Sequence, residues 1–419
     1  MSVTGMKGRF MKFAKRTMLA AIKAGVKKGR IKIIDTSGSV IQIGEPTDDW
    51  EKAVTLHVYD DYFWVRAYLR SDVGFSEAYM AQEIDASDMK ALLNVRHYFL
   101  FVDNLYIDNL STLSGLASIA YKAWNGLEAV LLRFFQHGLT DSILNVAGYD
   151  ISNSMYQRFL SKEMQYSCPI WSELEGGVRG DLENGRFPGD LESAQATKIK
   201  YILDKTRLRP GDRLLEIGSG WGSVAIGAAK MGCKVDTLTL SVEQKELAEE
   251  RIKQAGVEDR VTVHLMDYRN LPREFKKQFD AVVSLEMLEA VGVKYMDKYI
   301  KMVDWALKSD RATAVLTAAT YPNSTYTPYQ GNDFVRMYHW PYTVAPSPLS
   351  LLNDFQRVTR GRFTIESVQD FGYPTDYPRC LREWRRRFDE NWDDELIGEL
   401  QTQYPELKEK RNLEIFRRR

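Results

Sequence analysis

From Asp212 to Thr320 the apolar positions fall into two alternating patterns. Short, nearly continuous apolar runs (DRLLEIG, CKVDTLTL, VTVHLMD, FDAVVSLEM and TAVLTAAT) alternate with stretches whose apolar residues recur at helical spacing (GSVAIGAAKMG, VEQKELAEERIKQAG and YMDKYIKMVDWAL). Continuous apolar strands are buried on both faces, so this order predicts a parallel sheet covered by helices on each side. Upstream, IKIID, VIQIGE, AVTLHVYD and YFWVRAYL are rich in β-branched and aromatic residues and are separated by Gly, Pro and Asp. They read as short strands. A helical stretch is expected from about Ser76 to Tyr121, then helix and loop over 123–190, where GGVRGDLENGRFPGDLE closes just before the helix ESAQATKIKYILDKTR. The expected class is α/β, with a smaller α+β domain over 1–135 and the larger sheet domain over 136–419.

A chain of 419 residues accommodates those two domains. Lys plus Arg and Asp plus Glu both total 57, yet Met1–Ile34 carries basic residues and no acid. Residues 7–28 form a helical pattern in which Phe10, Phe13, Ala14, Met18, Ala21 and Ile22 share a stripe among lysines and arginines. Such a helix can lie on an anionic membrane or dock on the protein's own core. Three unpatterned cysteines argue against a disulfide framework, and no apolar run reaches membrane-spanning length. The expected location is cytoplasmic, with peripheral attachment to a membrane. The five histidines show no metal spacing, and the basic C-terminus lacks interleaved aromatics, so neither a metal nor a nucleic-acid partner is expected.

The chemistry concentrates in LLEIGSGWGSVAIGAAK. A strand runs into Gly218, Gly220 and Gly222 and directly into a helix, the first βα turn of a nucleotide-binding sheet. The spacing is not that of a phosphate-cradling loop. It does not exclude a dinucleotide, but Glu216 beside the turn suits a cationic ligand and would repel a pyrophosphate.

With LTLSVEQKELAEERIK, the tryptophan-bearing hinge resembles the cyclopropane-fatty-acid synthase family, which includes the mycolic acid cyclopropane synthases and related methyltransferases. GYDISNSMYQRFLSKEMQYSCPIW, MDYRNLP, SLEMLEAVG, YPRCLREWRRRF and the upstream VGFSEAYMAQEIDASDMKALLNV resemble further family segments in order. The resemblance implies a Rossmann-like class I methyltransferase domain using S-adenosylmethionine (SAM), acting on the cis double bond of a phospholipid acyl chain. In the family the resulting carbocation loses a proton to bound bicarbonate and closes to a ring. Carried over, Tyr149, Tyr166 and Ser167 line the SAM pocket, and Gly218, Gly220 and Gly222 form its hinge. Thr239, Ser241 and Gln244 lie on the ribose side, and Asp267 and Tyr268 near the adenine. Cys168, Glu289 and Tyr377 match the bicarbonate ligands, with Glu286 adding negative charge nearby. The resemblance also implies a homodimer through the N-terminal domain.

Three positions depart from the family pattern. Gly148 and Asp376 stand where histidines are usual, and Thr317 stands where a histidine helps to hold bicarbonate. The segment QGNDFVRMYHWPYTVAPS replaces the usual Gly-Gly with bulkier residues. A lipid C-methyltransferase without ring closure, a small-molecule N- or C-methyltransferase and a non-catalytic binding homologue therefore stay open.

Overall fold

The computed structural model describes residues 3–26, 29–44, 53–92, 152–331, 333–341, 343–371 and 376–419. The chain separates into two compact units. The first comprises Met1–Leu131, Gly331–His339 and Gln401–Arg419, and the second Leu132–Gln330 and Trp340–Leu400. Two excursions of the region 136–419 thus pack with the N-terminal unit.

In the first unit, strands β1 (Arg30–Ile34), β2 (Val40–Gly44), β3 (Val54–Val58) and β4 (Ile84–Ala86) form a sheet in the order β2-β1-β3-β4. Helix α1 (Val3–Gly25) lays Ala14, Met11, Met18, Leu19 and Ile22 against the core of this sheet. The expected apolar stripe therefore divides: its Met and Ala part is docked, whereas Phe10 and Phe13 stay 39% and 43% exposed. YFWVRAYL is not a strand. It opens helix α2 (Tyr62–Met80), whose Phe63, Trp64 and Ala67 face the core at helical spacing. Aromatic content favours strands only weakly, and tertiary packing overrides it. Asp60 Oδ1 accepts the Tyr62 N–H at 2.8 Å and fixes the helix start. The C-terminal basic run forms a helix, Lys410–Arg418, whose Arg418 pairs with Asp85 and lies over Tyr79.

The second unit holds the predicted parallel sheet. Strands β5 (Arg213–Ile217), β6 (Lys234–Thr239), β7 (Val261–Leu265), β8 (Ala281–Leu285) and β9 (Thr313–Thr317) are ordered β7-β6-β5-β8-β9, all parallel. Helices α3 (Asn153–Phe159) and α4 (Asp190–Thr206) precede the sheet. Helices α5 (Ser223–Lys230), α6 (Val242–Gln254) and α7 (Met296–Ala306) connect its strands. One core packs α4, α5 and α6 on one face, with Ile199, Ile202, Val224, Ala228, Ala248 and Ile252 among its members. The other packs α7 through Tyr299, Ile300 and Val303. Successive strands run outward from β5 to β7 on one side and from β8 to β9 on the other. The order reverses between β5 and β8, and a crevice opens at the carboxyl ends of strands at such a point.

Candidate active site

The loops leaving β5 and β8 flank that crevice. Gly218 and Ser219 donate their N–H groups to Leu238 O at 3.0 and 2.8 Å, which presses the hinge onto β6. Gly222 has φ +86°, and a Cβ there would come within 3.3 Å of Ala248 Cβ, so this position requires glycine twice over. A Cβ on Gly220 would meet nothing within 4 Å, so the loop faces open space at that residue. This is the form of a ligand cradle, and the free N–H groups of α5 begin immediately after it.

The hinge tryptophan is an anchor. Trp221 is buried, its indole N–H donates to Asn153 Oδ1 at 2.8 Å, and its ring lies 5.2 Å from Tyr156. Asn153 Nδ2 also donates to Glu243 O at 3.2 Å. One residue of the entrance segment thus ties the cofactor hinge to the turn after β6.

Glu216 is buried, accepts Thr237 Oγ1–H at 2.6 Å, and is pushed up to about 8 by burial. Thr239, Ser241 and Gln244 bind one another. Thr239 Oγ1 donates to Gln244 Oε1 at 2.9 Å and accepts the Ser241 N–H, while Ser241 Oγ caps α6 by accepting the Gln244 N–H at 3.1 Å. Their shared pattern first of all builds the β6–α6 turn. Asp267 is buried and engaged by Arg269, whose Nε reaches both carboxylate oxygens at 2.8 and 2.9 Å. Tyr268 lies in the core, its ring 5.2 Å from that of Tyr299. Tyr149 lies outside the described residues.

The entrance strap Gln165–Cys168 meets the β8 loop. Glu286, at φ +48°, is held by its N–H donating to both Thr317 O and Thr317 Oγ1 at 3.1 Å. A left-handed non-glycine residue costs on the order of 1–3 kcal/mol and such positions cluster at functional sites. The threonine that replaces the expected histidine thus helps to fix this turn as an acceptor, and its O–H remains a donor. Among the described residues the Glu286 side chain is exposed. Its Oε1 accepts the Cys168 N–H at 3.2 Å.

One turn on, Glu289 Oε1 accepts the Ala319 N–H, while Oε2 is buried with no hydrogen-bond partner among the described residues. Burial, and then the charge of Glu286, push Glu289 up to about 8. Cys168 and Tyr377 are likewise raised far above their ordinary values, by burial first and the Glu286 charge second. Cys168 Sγ lies 3.4 Å from both Pro169 O and Phe371 O. Asp376, the other histidine replacement, accepts the Trp171 N–H at 2.8 Å and so joins the entrance segment to helix α8 (Tyr377–Glu390).

Aromatic rings line the same region. Tyr166 sits 5.2 Å from Trp384, 5.3 Å from Tyr156 and 5.9 Å from Trp340, and Tyr377 stands edge-on to Trp384 at 6.5 Å. Trp384 stands in the segment YPRCLREWRRRF but has no assigned role there, and the motifs do not single out two further contributors, Trp340 and Lys198. Lys198 had a signal. It follows Leu191, Ala194 and Gln195 on the buried stripe of α4, where a lysine is out of place. Its ammonium is buried and bound by Gln165 Oε1 at 2.7 Å and by Ser167 Oγ. Gln195 Nε2 holds Ser167 O at 2.9 Å, and Gln165 Nε2 reaches Ser223 Oγ on α5 at 2.5 Å.

An acidic, aromatic-walled cleft beside a glycine hinge suits a sulfonium ligand and a cationic reaction centre. Solved structures share the fold. A cyclopropane synthase from Mycobacterium tuberculosis is 22% identical with TM-score 0.51, over 64% of this chain and 88% of that one. Coclaurine N-methyltransferase is 17% identical with TM-score 0.58, over 83% and 91%. Among curated proteins, tuberculostearic acid methyltransferase of Mycobacterium tuberculosis is 29% identical over 75% of this chain and 68% of its own length. Cyclopropane-fatty-acyl-phospholipid synthase of Escherichia coli is 34% identical over 58% and 56%. The match thus spans between about half and two thirds of these relatives. The sequence profile of mycolic acid cyclopropane synthetases matches residues 140–404, well over half of the chain. The chain belongs to the mycolic acid cyclopropane synthetase family of SAM-dependent enzymes.

Proposed function

We propose that the protein transfers a methyl group from SAM to the cis double bond of an unsaturated phospholipid acyl chain, and that the resulting carbocation loses a proton to bound bicarbonate and closes to a cyclopropane. The observation that supports this reading is the cleft at the carboxyl ends of β5 and β8, where the charge of Glu286 acts on Tyr166, Tyr377 and Glu289, and both tyrosines pack on Trp384. SAM, when bound, supplies an electrophilic methyl group. The open face of Gly220 and the N-terminus of α5 would hold it. Glu286 would balance its positive charge.

The acyl cation needs negative charge without a nucleophile that traps it. Aromatic faces stabilise it, and exclusion of water protects it. Bicarbonate requires hydrogen-bond donors, and the residues fit. Tyr377 and Cys168 keep their protons, and Glu289, raised to about 8, presents a largely protonated carboxyl whose Oε2 has no partner among the described residues.

A second reading, methyl branching without ring closure, is favoured by one observation. Thr317 is shorter than a histidine and cannot be protonated, so it adds less to an anion site than a histidine would. The relative named a tuberculostearic acid methyltransferase points the same way.

The first unit is proposed to bring the enzyme to lipid. On α1, exposed Phe10 and Phe13 group with half-buried Tyr68, at ring distances of 6.4, 6.0 and 5.6 Å, flanked by exposed Lys7, Arg9, Lys12 and Arg16. No helix among the described residues is long and apolar enough to cross a membrane. The test is transfer of labelled methyl from SAM into vesicle lipid. Label in cis-unsaturated but not saturated phospholipid supports the reading. Label in neither, with SAM bound, overturns the lipid substrate.

A further inference from the structure

We propose that Lys198 is a positioning residue of the reaction: its ammonium is the built-in countercharge of Glu286, and through Ser167 it clamps the strap that carries Cys168 against that carboxylate. The inference rests on the proposed role of the Glu286 cleft and deepens it.

The geometry forms a continuous path. Lys198 Nζ binds Ser167 Oγ and, at 2.7 Å, Gln165 Oε1, and the next residue, Cys168, donates its N–H to Glu286 Oε1 at 3.2 Å. Both hydrogen-bond acceptors of the ammonium are neutral. A buried ammonium with neutral acceptors alone would be costly, and its charge implies an anion nearby. Six titratable groups face Glu286 from the elements around it: Tyr166 and Cys168 on the strap, Lys198 on α4, Tyr377 and Cys380 on α8, and Glu289 on its own turn. Burial holds both tyrosines and both cysteines in their neutral forms. Lys198 is therefore the one cation among the six. Burial draws Lys198 down to about 8 and the charge of Glu286 opposes that shift, while burial raises Glu286 and Lys198 opposes that rise.

The consequence is functional. With Lys198 charged, Glu286 stays ionised and presents a fixed negative charge to a sulfonium and a developing cation. Without it, Glu286 takes up a proton and the cleft loses that charge as the pH falls.

The test compares Lys198→Met, Lys198→Arg, Glu286→Gln and the double variant Lys198→Met/Glu286→Gln in the full-length protein. With SAM and cis-unsaturated phospholipid vesicles, the acid limb of kcat/KM should move up by one pH unit or more in Lys198→Met. It should stay within a few tenths in Lys198→Arg, and the double variant should follow Glu286→Gln alone. A loss in Lys198→Met that is equal at every pH would show a merely structural lysine and overturn the proposal. Thermal melting at pH 7 gives a readout independent of turnover. Removing both charges should leave a protein that melts above Lys198→Met, because no unpaired carboxylate remains. Additive losses of Tm would also overturn the proposal. Absence of methyl transfer by the wild-type protein would instead refute the lipid reading, and the melting cycle would still decide the lysine.

Discussion

At Glu289 two carboxylate oxygens meet different surroundings. One is fixed by the Ala319 N–H and the other is buried without a partner among the described residues. Such an orphan is costly in the free protein and useful to an incoming donor or acceptor. Glu289→Gln should lower turnover by on the order of 100-fold or more, the usual weight of a proton-handling side chain, while SAM affinity by titration calorimetry changes only a few-fold. Comparable loss of binding would make Glu289 a cofactor residue. The same carboxyl gives a stability signature. Its folded value, about 8, is raised from 4.5, so its contribution is fully present below about pH 4.5 and is lost as the pH rises through 8. A glutamine cannot ionise. Glu289→Gln should therefore melt like wild type at pH 5 and several degrees higher at pH 8.5. Equal melting at pH 8.5 would show that the carboxyl is not held in this way.

Site legibility at this scale followed the motifs. Glu289, Cys168, Tyr377 and the glycines could be named because each stands in an ordered run of short signatures. Lys198 could not, because its meaning depends on Ser167 and Glu286, which are distant in the chain and meet only in the fold. The three expected ribose-side residues could be named, but their capping of α6 depends on local geometry that spacing alone does not give.

Among the elements, the sheet of the second unit was the most readable part. Five apolar runs became five parallel strands, since burial on both faces leaves a signal that depends little on neighbours. YFWVRAYL was misleading because β-branched and aromatic residues are common both in strands and on the inner face of a buried helix. The Trp221–Asn153 bond lay between these extremes. The tryptophan was evident, but its partner was not. It predicts a coupling between hinge and entrance segment. Trp221→Phe and Asn153→Ala should each raise the KM for SAM several-fold, and a double-mutant cycle should return about 1 kcal/mol of coupling, the usual net value of one hydrogen bond. Zero coupling would mean that the two elements are held independently.

Over the whole molecule, the two units ask different questions. The N-terminal helix had two sequence readings, and the structure combines them. One face is docked on its own core, while an aromatic group remains exposed among basic side chains. Deleting the helix would remove Ala14, Met11, Met18, Leu19 and Ile22 from the core of the first unit and confuse binding with folding, so point substitutions are the better probe. Phe10→Ser/Phe13→Ser should weaken sedimentation with anionic vesicles by several-fold and leave SAM affinity unchanged. Unchanged sedimentation would remove this face from any membrane role. Weaker binding at higher salt should accompany the wild-type interaction, because the lysines and arginines act through screened charge.

The central claim is alkylation of a lipid double bond in the Glu286–Glu289 cleft. The most direct measurement is mass spectrometry of the fatty acids after incubation of wild type and Glu289→Gln with SAM and cis-unsaturated phospholipid vesicles. The account predicts a gain of one CH₂ per modified chain with wild type and none with Glu289→Gln. Mild hydrogenation then separates a ring, which resists it, from a methylene branch, which takes up hydrogen. Unmodified chains with wild-type protein that still binds SAM would contradict the account.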